Sequence, residues 1–243
     1  MATTEIPTGA DVEVEGAAAP APTSGVVEAI TTARAAFDRG VTRPIAWREG
    51  QLDALVRLLD EGEDRLVEAL AADVGKPRME GWAMDIGVTA GEVRTIRKNV
   101  AKWAKPRRAS VPLTAMPGKA RVQPEPLGTV LIVAPWNYPV QLLIEPLAAA
   151  IAAGNAAVVK PSELAPATSA VLADLLRTYL DDAIQVVEGG PEVATELLEQ
   201  RWDHIFFTGS TRIGQVVAEA AAKHLTPVTV SYTHLTLPTN REV

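Results

Sequence analysis

The chain of 243 residues contains no cysteine. This absence excludes disulfide bonds and thiolate metal sites, and we expect no metal site from the other residues. It also excludes a cysteine nucleophile within these residues. Acidic residues outnumber lysine and arginine, and the formal net charge is -7. A nucleic-acid partner is therefore not expected, because neutralising phosphates requires concentrated positive charge.

Long apolar runs are also missing. No stretch reaches the length of a membrane span, and the N-terminus has neither the basic region nor the apolar segment of a secretory signal. We therefore expect no membrane span and a cytoplasmic location. Aromatic residues are only 5% of the chain, and the three histidines, His204, His224 and His234, form no pattern that indicates catalysis.

What is present is an alternation of helices and strands. Leu131 to Val133 and Ala157 to Val159 are short apolar runs typical of strands buried on both faces, and the helical stretch Gln141 to Ala153 separates them. Similar runs at 184–187, 204–207 and 228–230 predict further strands. The pattern predicts an α/β fold in which N-terminal helices precede a Rossmann-like, doubly wound parallel sheet of about five strands.

The chain divides by composition into segments. Residues 1–25 are rich in Ala, Pro and Thr and predict a disordered leader. Residues 26–104 have helical spacing and predict helices that pack on the sheet domain at 127–230, with a separate helical bundle as the alternative. The proline-containing segment 105–126 predicts an extended, hairpin-like excursion, for which a solvated basic linker is the alternative.

Polar motifs stand at the ends of the predicted strands. They are PWNYP at 135–139, AAGNAAVVKPSE at 152–163, FTGSTRIG at 207–214 and AAAKHLTPVT at 220–229. In order and spacing the motifs resemble the NAD(P)-dependent aldehyde dehydrogenase superfamily, and the first and last resemble its class 3 branch, which acts on fatty and aromatic aldehydes. The resemblance covers about 26–229 and implies the cofactor-binding part of that fold without its catalytic domain.

The turn from Gly209 to Gly214 is a candidate pyrophosphate site, because it leaves a predicted strand and opens a helix with free N-H groups. A plain Gly and Ser cap is the alternative. Lys160 and Glu163 follow a strand where a ribose would lie, and a surface ion pair is the alternative. The resemblance implies NAD or NADP as cofactor and the binding residues Trp136, Lys160, Ser162, Glu163, Gly189, Gly190, Gly209, Ser210, Thr211 and Gly214.

By the same resemblance, Gly189 and Gly190 let the adenine approach the backbone, with a plain turn as the alternative. A core lid is the alternative for Trp136. Glu163 favours an unmodified ribose, whereas Lys160 would accommodate a 2′-phosphate.

Asn137 is the candidate catalytic residue, because a carboxamide N-H can donate to an oxyanion without titrating. The resemblance implies that a cysteine thiolate attacks the aldehyde, Asn137 holds the oxyanion, hydride passes to the nicotinamide, and a glutamate-activated water hydrolyses the thioester. An Asx-type turn between the flanking prolines is the alternative.

The sequence departs from the resembled family after Thr229. The pattern requires a general-base glutamate at position 231, where this chain has Ser231. We therefore expect a non-native tail at 231–243 and a chain without nucleophile or base. The resemblance implies aldehyde oxidation to a carboxylic acid and a homodimeric full-length protein. The alternatives are a catalytically inactive dinucleotide-binding fragment and a non-functional fragment with an exposed apolar face.

Overall fold

The computed structural model of the protein describes residues 24–232. The first part of this range is helical. Its elements are α1 (Ser24–Asp38), α2 (Ile45–Glu61), α3 (Glu63–Val74), α4 (Arg78–Gly81), a π-helical segment (Trp82–Gly87) and α5 (Val88–Trp103).

A short two-stranded ribbon follows the helices. Its strands β1 (Arg107–Ala109) and β2 (Ala120–Val122) pair antiparallel, which is the extended hairpin that the prolines predict. The role of this hairpin in subunit pairing stays a prediction, as do the homodimer and the cytoplasmic location.

The rest of the described chain alternates strands and helices. The elements are β3 (Thr129–Val133), α6 (Gln141–Ala153), β4 (Ala156–Lys160), α7 (Pro166–Tyr179), β5 (Ile184–Val186), α8 (Pro191–Glu199), β6 (His204–Gly209), α9 (Thr211–Ala222) and β7 (Val228–Tyr232). The five strands pair in the order β5-β4-β3-β6-β7, and every pair is parallel. This confirms the predicted doubly wound sheet.

Helices cover both faces of the sheet, because successive side chains of a buried strand point to opposite sides. In β3, Val130 and Ile132 join the core under α6 and α7, whereas Leu131 joins the core under α1, α8 and α9. All three side chains are buried. The apolar runs that predicted the strands are therefore explained by burial on two faces.

The N-terminal helices do not form a separate bundle. Leu55, Leu66 and Val93, from α2, α3 and α5, share one continuous core with Leu147 of α6 and Leu172 of α7. Helix α1 instead packs on the opposite face of the sheet, against β4 and β5. The helical region is thus an outer layer of the sheet domain.

Two details differ from the helical periodicity. Apolar residues keep helical spacing through 46–72, which predicts one continuous helix. The structure interrupts this helix at Gly62, where a Cβ atom would lie 2.6 Å from the carbonyl oxygen of Leu58 and 2.7 Å from Leu175 Cδ1. Trp82 and Trp103 continue the apolar spacing of the next helical stretch, at 80–103, but are 43% and 53% exposed. The buried apolar face of these helices is therefore narrower than the spacing of their apolar residues indicates.

The predicted leader and tail lie mostly outside the described residues. Ser231 and Tyr232 are paired with Thr208 and Gly209 at the end of β7, and the foreign origin of 231–243 stays a prediction. Among residues 24–232, every helix is too short or too polar to traverse a lipid bilayer.

Arg48 and Gly154 generate a stability prediction. The buried Arg48 donates to the carbonyl oxygens of Thr42, Arg43 and Ala152, which anchors the end of α6. Gly154 ends that helix at φ +87, and a Cβ atom there would lie 2.5 Å from Arg48 Nη2. Gly154→Ala should lower the free energy of unfolding by about 3 kcal/mol, because left-handed strain adds to lost hydrogen bonds.

Gly75→Ala is the matched control for urea denaturation. Gly75 also ends a helix, at φ +67, but a Cβ atom there would meet nothing within 4 Å. This variant should lose only about 1 kcal/mol. Equal losses of unfolding free energy in the two variants would show that the contact with Arg48 adds nothing to the cost of the Gly154→Ala substitution.

Candidate functional site

The order of the strands creates a cleft beside β3. From β3 the chain continues to β4 on one side, and the connecting helix α6 lies on one face of the sheet. The chain later returns to the other side of β3 with β6. The helices α8 and α9, which flank β6 in sequence, lie on the opposite face of the sheet. In doubly wound sheets, ligands bind outside the carboxyl ends of the strands at such a reversal. A cavity of about 460 Å³ lies at this point.

Residues from three predicted motifs meet in this cavity. The predicted site residues that line it are Trp136, Asn137, Lys160, Ser162, Glu163, Gly209 and Ser210. They lie at or directly after the carboxyl ends of β3, β4 and β6, which are adjacent in the sheet. The structure therefore brings together the groups that the sequence placed at separate strand ends.

Lys160 and Glu163 form a partly buried ion pair. Lys160 Nζ donates to Glu163 Oε2 at 2.8 Å and to the carbonyl oxygen of Pro161 at 3.2 Å. Lys160 is only 2% exposed, whereas the Glu163 side chain is 37% exposed, so the cation of the pair is buried and the carboxylate lies at the surface of the cavity. Burial alone would raise the pKa of Glu163, but the hydrogen bond and charge of Lys160 outweigh it and lower that pKa. Glu163 thus presents an ionised acceptor to the cavity.

The Ser162 hydroxyl stabilises the loop after β4 more than it contributes to the surface of the cavity. Its Oγ accepts a hydrogen bond from the backbone N-H of Leu164 at 3.3 Å, and the residue is 7% exposed. This contact is an ST-type turn, which fixes the loop that carries Glu163.

The N-terminus of α9 opens at the cavity. Ser210 is the N-cap, and its Oγ accepts from the N-H of Ile213 at 3.4 Å. A Cβ atom on Gly209 would lie 2.4 Å from the Phe207 ring, so the turn passes close over β6. Free N-H groups and the helix dipole make this end a suitable anion site.

Four of the predicted cofactor residues do not line the cavity: Gly189, Gly190, Thr211 and Gly214. Thr211 is exposed as the first residue of α9, and Gly214 is buried against Val230, where a Cβ atom would approach to 2.9 Å. Gly189 (φ +148) and Gly190 form the turn that leads into α8. These glycines set the positions of α8 and α9 rather than the lining of the cavity.

The apolar wall of the cavity was not predicted from the sequence. It is formed by Leu198 of α8 and by Ile213 and Val216 of α9. Val216 is 51% exposed, whereas its neighbour Val217 is buried in the core. Two adjacent apolar residues, Val216 and Val217, make the apolar face of α9 broader than the core alone requires. This breadth is a sequence signal that α9 has an apolar surface towards a cavity as well as towards the core.

Asn137 has no turn-forming hydrogen bond. Its Oδ1 is buried without a hydrogen-bond partner among the described residues, which excludes the Asx-type turn. Trp136 beside it is 46% exposed and is not a core lid. The Oγ1 of Thr208, another lining residue, is also buried without a described partner. Buried polar groups without partners at a cavity wall fit a polar ligand.

Proteins of known sequence match most of this chain. The model of the aldehyde dehydrogenase family matches residues 4–232. Aldehyde dehydrogenase family 3 member H1 of Arabidopsis thaliana is 48% identical over 200 residues, which cover 82% of this chain and 41% of that protein. Aldehyde dehydrogenase family 3 member A2 of Rattus norvegicus is 48% identical over 198 residues, covering 81% and 41%.

Solved structures agree with this similarity. The substrate-bound state of Staphylococcus aureus AldH has a TM-score of 0.84 and 39% identity, covering 86% of this chain and 46% of that one. A mutant aldehyde dehydrogenase C from Pseudomonas syringae, complexed with NAD+ and octanal, has a TM-score of 0.75 and 29% identity, covering 87% and 43%. This chain spans less than half the length of these relatives. From the family match and these identities, the chain belongs to the aldehyde dehydrogenase family.

Proposed function

We propose that this chain is the cofactor-binding part of an NAD(P)-dependent aldehyde dehydrogenase that oxidises an aldehyde to a carboxylic acid. The observation that carries the proposal is the cavity beside β3 and β6, where an ionised Glu163, a buried Lys160 and the N-terminus of α9 converge. The resemblance of the motifs at 135–139 and 220–229 to the class 3 branch supports a fatty or aromatic aldehyde as the substrate class, and the similarity to family 3 proteins agrees with that branch.

The lining residues fit the three parts of a dinucleotide. The pyrophosphate would lie at the N-terminus of α9, beside Ser210. Glu163 would accept hydrogen bonds from ribose hydroxyls, and the apolar wall with Leu198 and Ile213 would contact the adenine. The cavity volume of about 460 Å³ lies within the usual range for small-molecule sites. The complex of the Pseudomonas syringae relative with NAD+ supports a nicotinamide dinucleotide as the ligand.

The role of Asn137 in the proposal is to donate its amide N-H to the oxyanion formed from the aldehyde. When bound, the oxidised nicotinamide supplies the hydride acceptor. The 243 residues contain no cysteine, so the thiolate must come from sequence outside them. We therefore propose that this chain binds the cofactor but does not turn over aldehyde by itself.

The first of three functional predictions concerns cofactor binding by the 243-residue chain. Isothermal titration calorimetry with NAD+ should show saturable binding. Lys160→Met should weaken it about tenfold, because the change leaves Glu163 without its cation. Ser210→Ala should weaken it less and should cost about 1 kcal/mol of stability through the lost N-cap.

Lys223→Met is the charge-matched control for Lys160→Met. Lys223 lies at the opposite end of α9 from the cavity, so its loss should leave the affinity for NAD+ unchanged. Equal weakening by both lysine variants would point to net charge alone, and absence of binding by the unmodified chain would contradict the proposed cofactor site.

The second prediction concerns the choice between NAD and NADP. The charge of Lys160 is already compensated by Glu163. The 2′-phosphate of NADP+ would therefore be repelled by the Glu163 carboxylate, and NAD+ should bind more tightly than NADP+. Glu163→Gln should improve the affinity for NADP+ relative to NAD+ by about tenfold. Titrating both cofactors measures this ratio. Glu199→Gln, an exposed change on α8, is the control, and an unchanged ratio in Glu163→Gln would contradict the role of this carboxylate.

The third prediction concerns catalysis by the protein expressed from its complete gene. With octanal as probe, Asn137→Ala should lower kcat by about 10²–10³-fold, because the oxyanion loses a donor. The affinity for NAD+ should hardly change. Asn99→Ala is the control, since within residues 24–232 the Asn99 side chain bonds to its own helix, at the carbonyl oxygen of Thr95. Full activity of Asn137→Ala would contradict the assignment.

A further inference from the structure

A buried ion pair lies behind the turn that carries Asn137. Lys76 Nζ donates to Asp85 Oδ2 at 3.0 Å, and the two residues are 9% and 0% exposed. Neither residue lines the cofactor cavity. Both belong to the N-terminal helical layer, where Lys76 follows α3 and Asp85 lies in the π-helical segment.

Lys76 holds one end of the turn. Its Nζ donates to the backbone carbonyl oxygen of Asn137 at 2.9 Å. The same ammonium lies 3.8 Å from the centroid of the Tyr138 ring, which is a cation-π contact. One desolvated cation therefore contacts two consecutive residues of the turn, including the candidate oxyanion donor.

Asp85 holds the other end of the turn. Its Oδ1 accepts a hydrogen bond from the backbone N-H of Gln141 at 2.7 Å, at the start of α6. Val140, the N-cap of α6, makes no side-chain cap of its own, so a residue distant in sequence supplies the cap. Asp85 and Lys76 thus clamp the segment from Asn137 to Gln141 at both ends.

The electrostatics make this clamp sensitive to substitution. Burial raises the pKa of Asp85, while the N-H of Gln141 and the charge of Lys76 act in the opposite direction. Removing one partner of a buried pair leaves an uncompensated charge or a neutralised acid. The π-helical segment that carries Asp85 is itself a backbone form often found at functional sites.

We propose that Lys76 and Asp85 are positioning residues that hold the amide of Asn137 in the orientation in which it donates to the oxyanion. The proposal rests on the function proposed above. Neither residue touches the substrate or the cofactor, and each acts through the backbone of the turn. Loss of the clamp should displace Asn137 and leave the distant cofactor contacts in place.

The test observes Asn137 directly in the 243-residue chain. The sequence contains four asparagines, Asn99, Asn137, Asn155 and Asn240, so labelling asparagine with ¹⁵N gives few side-chain amide signals, and Asn137→Ala assigns one of them. In Lys76→Met and Asp85→Asn the Asn137 signal should shift or broaden. The signal of Asn155, whose Oδ1 accepts from Leu127 and Gly128, should stay in place.

Two further variants separate positioning from general stability. Lys76→Arg keeps the cation and should restore the Asn137 signal at least in part. Leu66→Ala removes a buried side chain from α3 and should lower the melting temperature without moving that signal. Asp85→Asn preserves the shape of the side chain and the acceptor for Gln141 but removes the carboxylate charge that holds Lys76 Nζ at 3.0 Å. It therefore still tests the ion pair if Lys76→Met does not fold.

Several outcomes would overturn the proposal: an unchanged Asn137 signal in Asp85→Asn, or an equal displacement in Leu66→Ala. In the enzyme from the complete gene, Asp85→Asn should lower kcat by about tenfold or more, with little change in KM for NAD+. A change in KM alone would also overturn it. Failure of the unmodified chain to bind NAD+ would reject the cofactor site instead, because the NMR experiment contains no cofactor.

Discussion

The reversal of strand order beside β3 is the constraint on which this structure depends. The chain winds from β3 to β5 with helices on one face, then returns to β6 with helices on the other. Helices on opposite faces cannot close over the gap between β3 and β6, so the cleft opens there. Both the candidate cofactor groups and the amide of Asn137 reach the same cavity for this reason.

Buried charges connect this cleft to the rest of the molecule. Lys160, Lys76 and Asp85 are each less than 10% exposed, and each has a partner of opposite charge within 3.0 Å. A buried unpaired charge would be costly, so each pair restricts the conformations of its loop. One pair lines the cavity at the end of β4, and the other ties the turn at Asn137 to the N-terminal helical layer. That layer therefore supports the site as well as covering the sheet.

The sequence predicted those parts of the site whose residues are close along the chain. Lys160 ends β4 and Glu163 lies three residues later, so their pairing follows from their spacing, and Ser210 is adjacent to the helix it caps. The cavity wall formed by Leu198 and Val216 was not predicted, because apolar residues at helical spacing indicate packing against the core rather than a ligand cavity. Only the placement of α8 beside α9 turns these residues towards a cavity.

The sequence by itself determined the element types, the parallel sheet and the family, because apolar periodicity and turn residues act over a few neighbouring positions. Tertiary structure alone decided what meets across long separations. Lys76 lies 61 residues before Asn137, and Asp85 lies 56 residues before Gln141. No local pattern encodes such contacts, because they depend on how the N-terminal helical layer packs on α6 through α2 and α5. The folded chain places this ion pair behind the turn that carries Asn137.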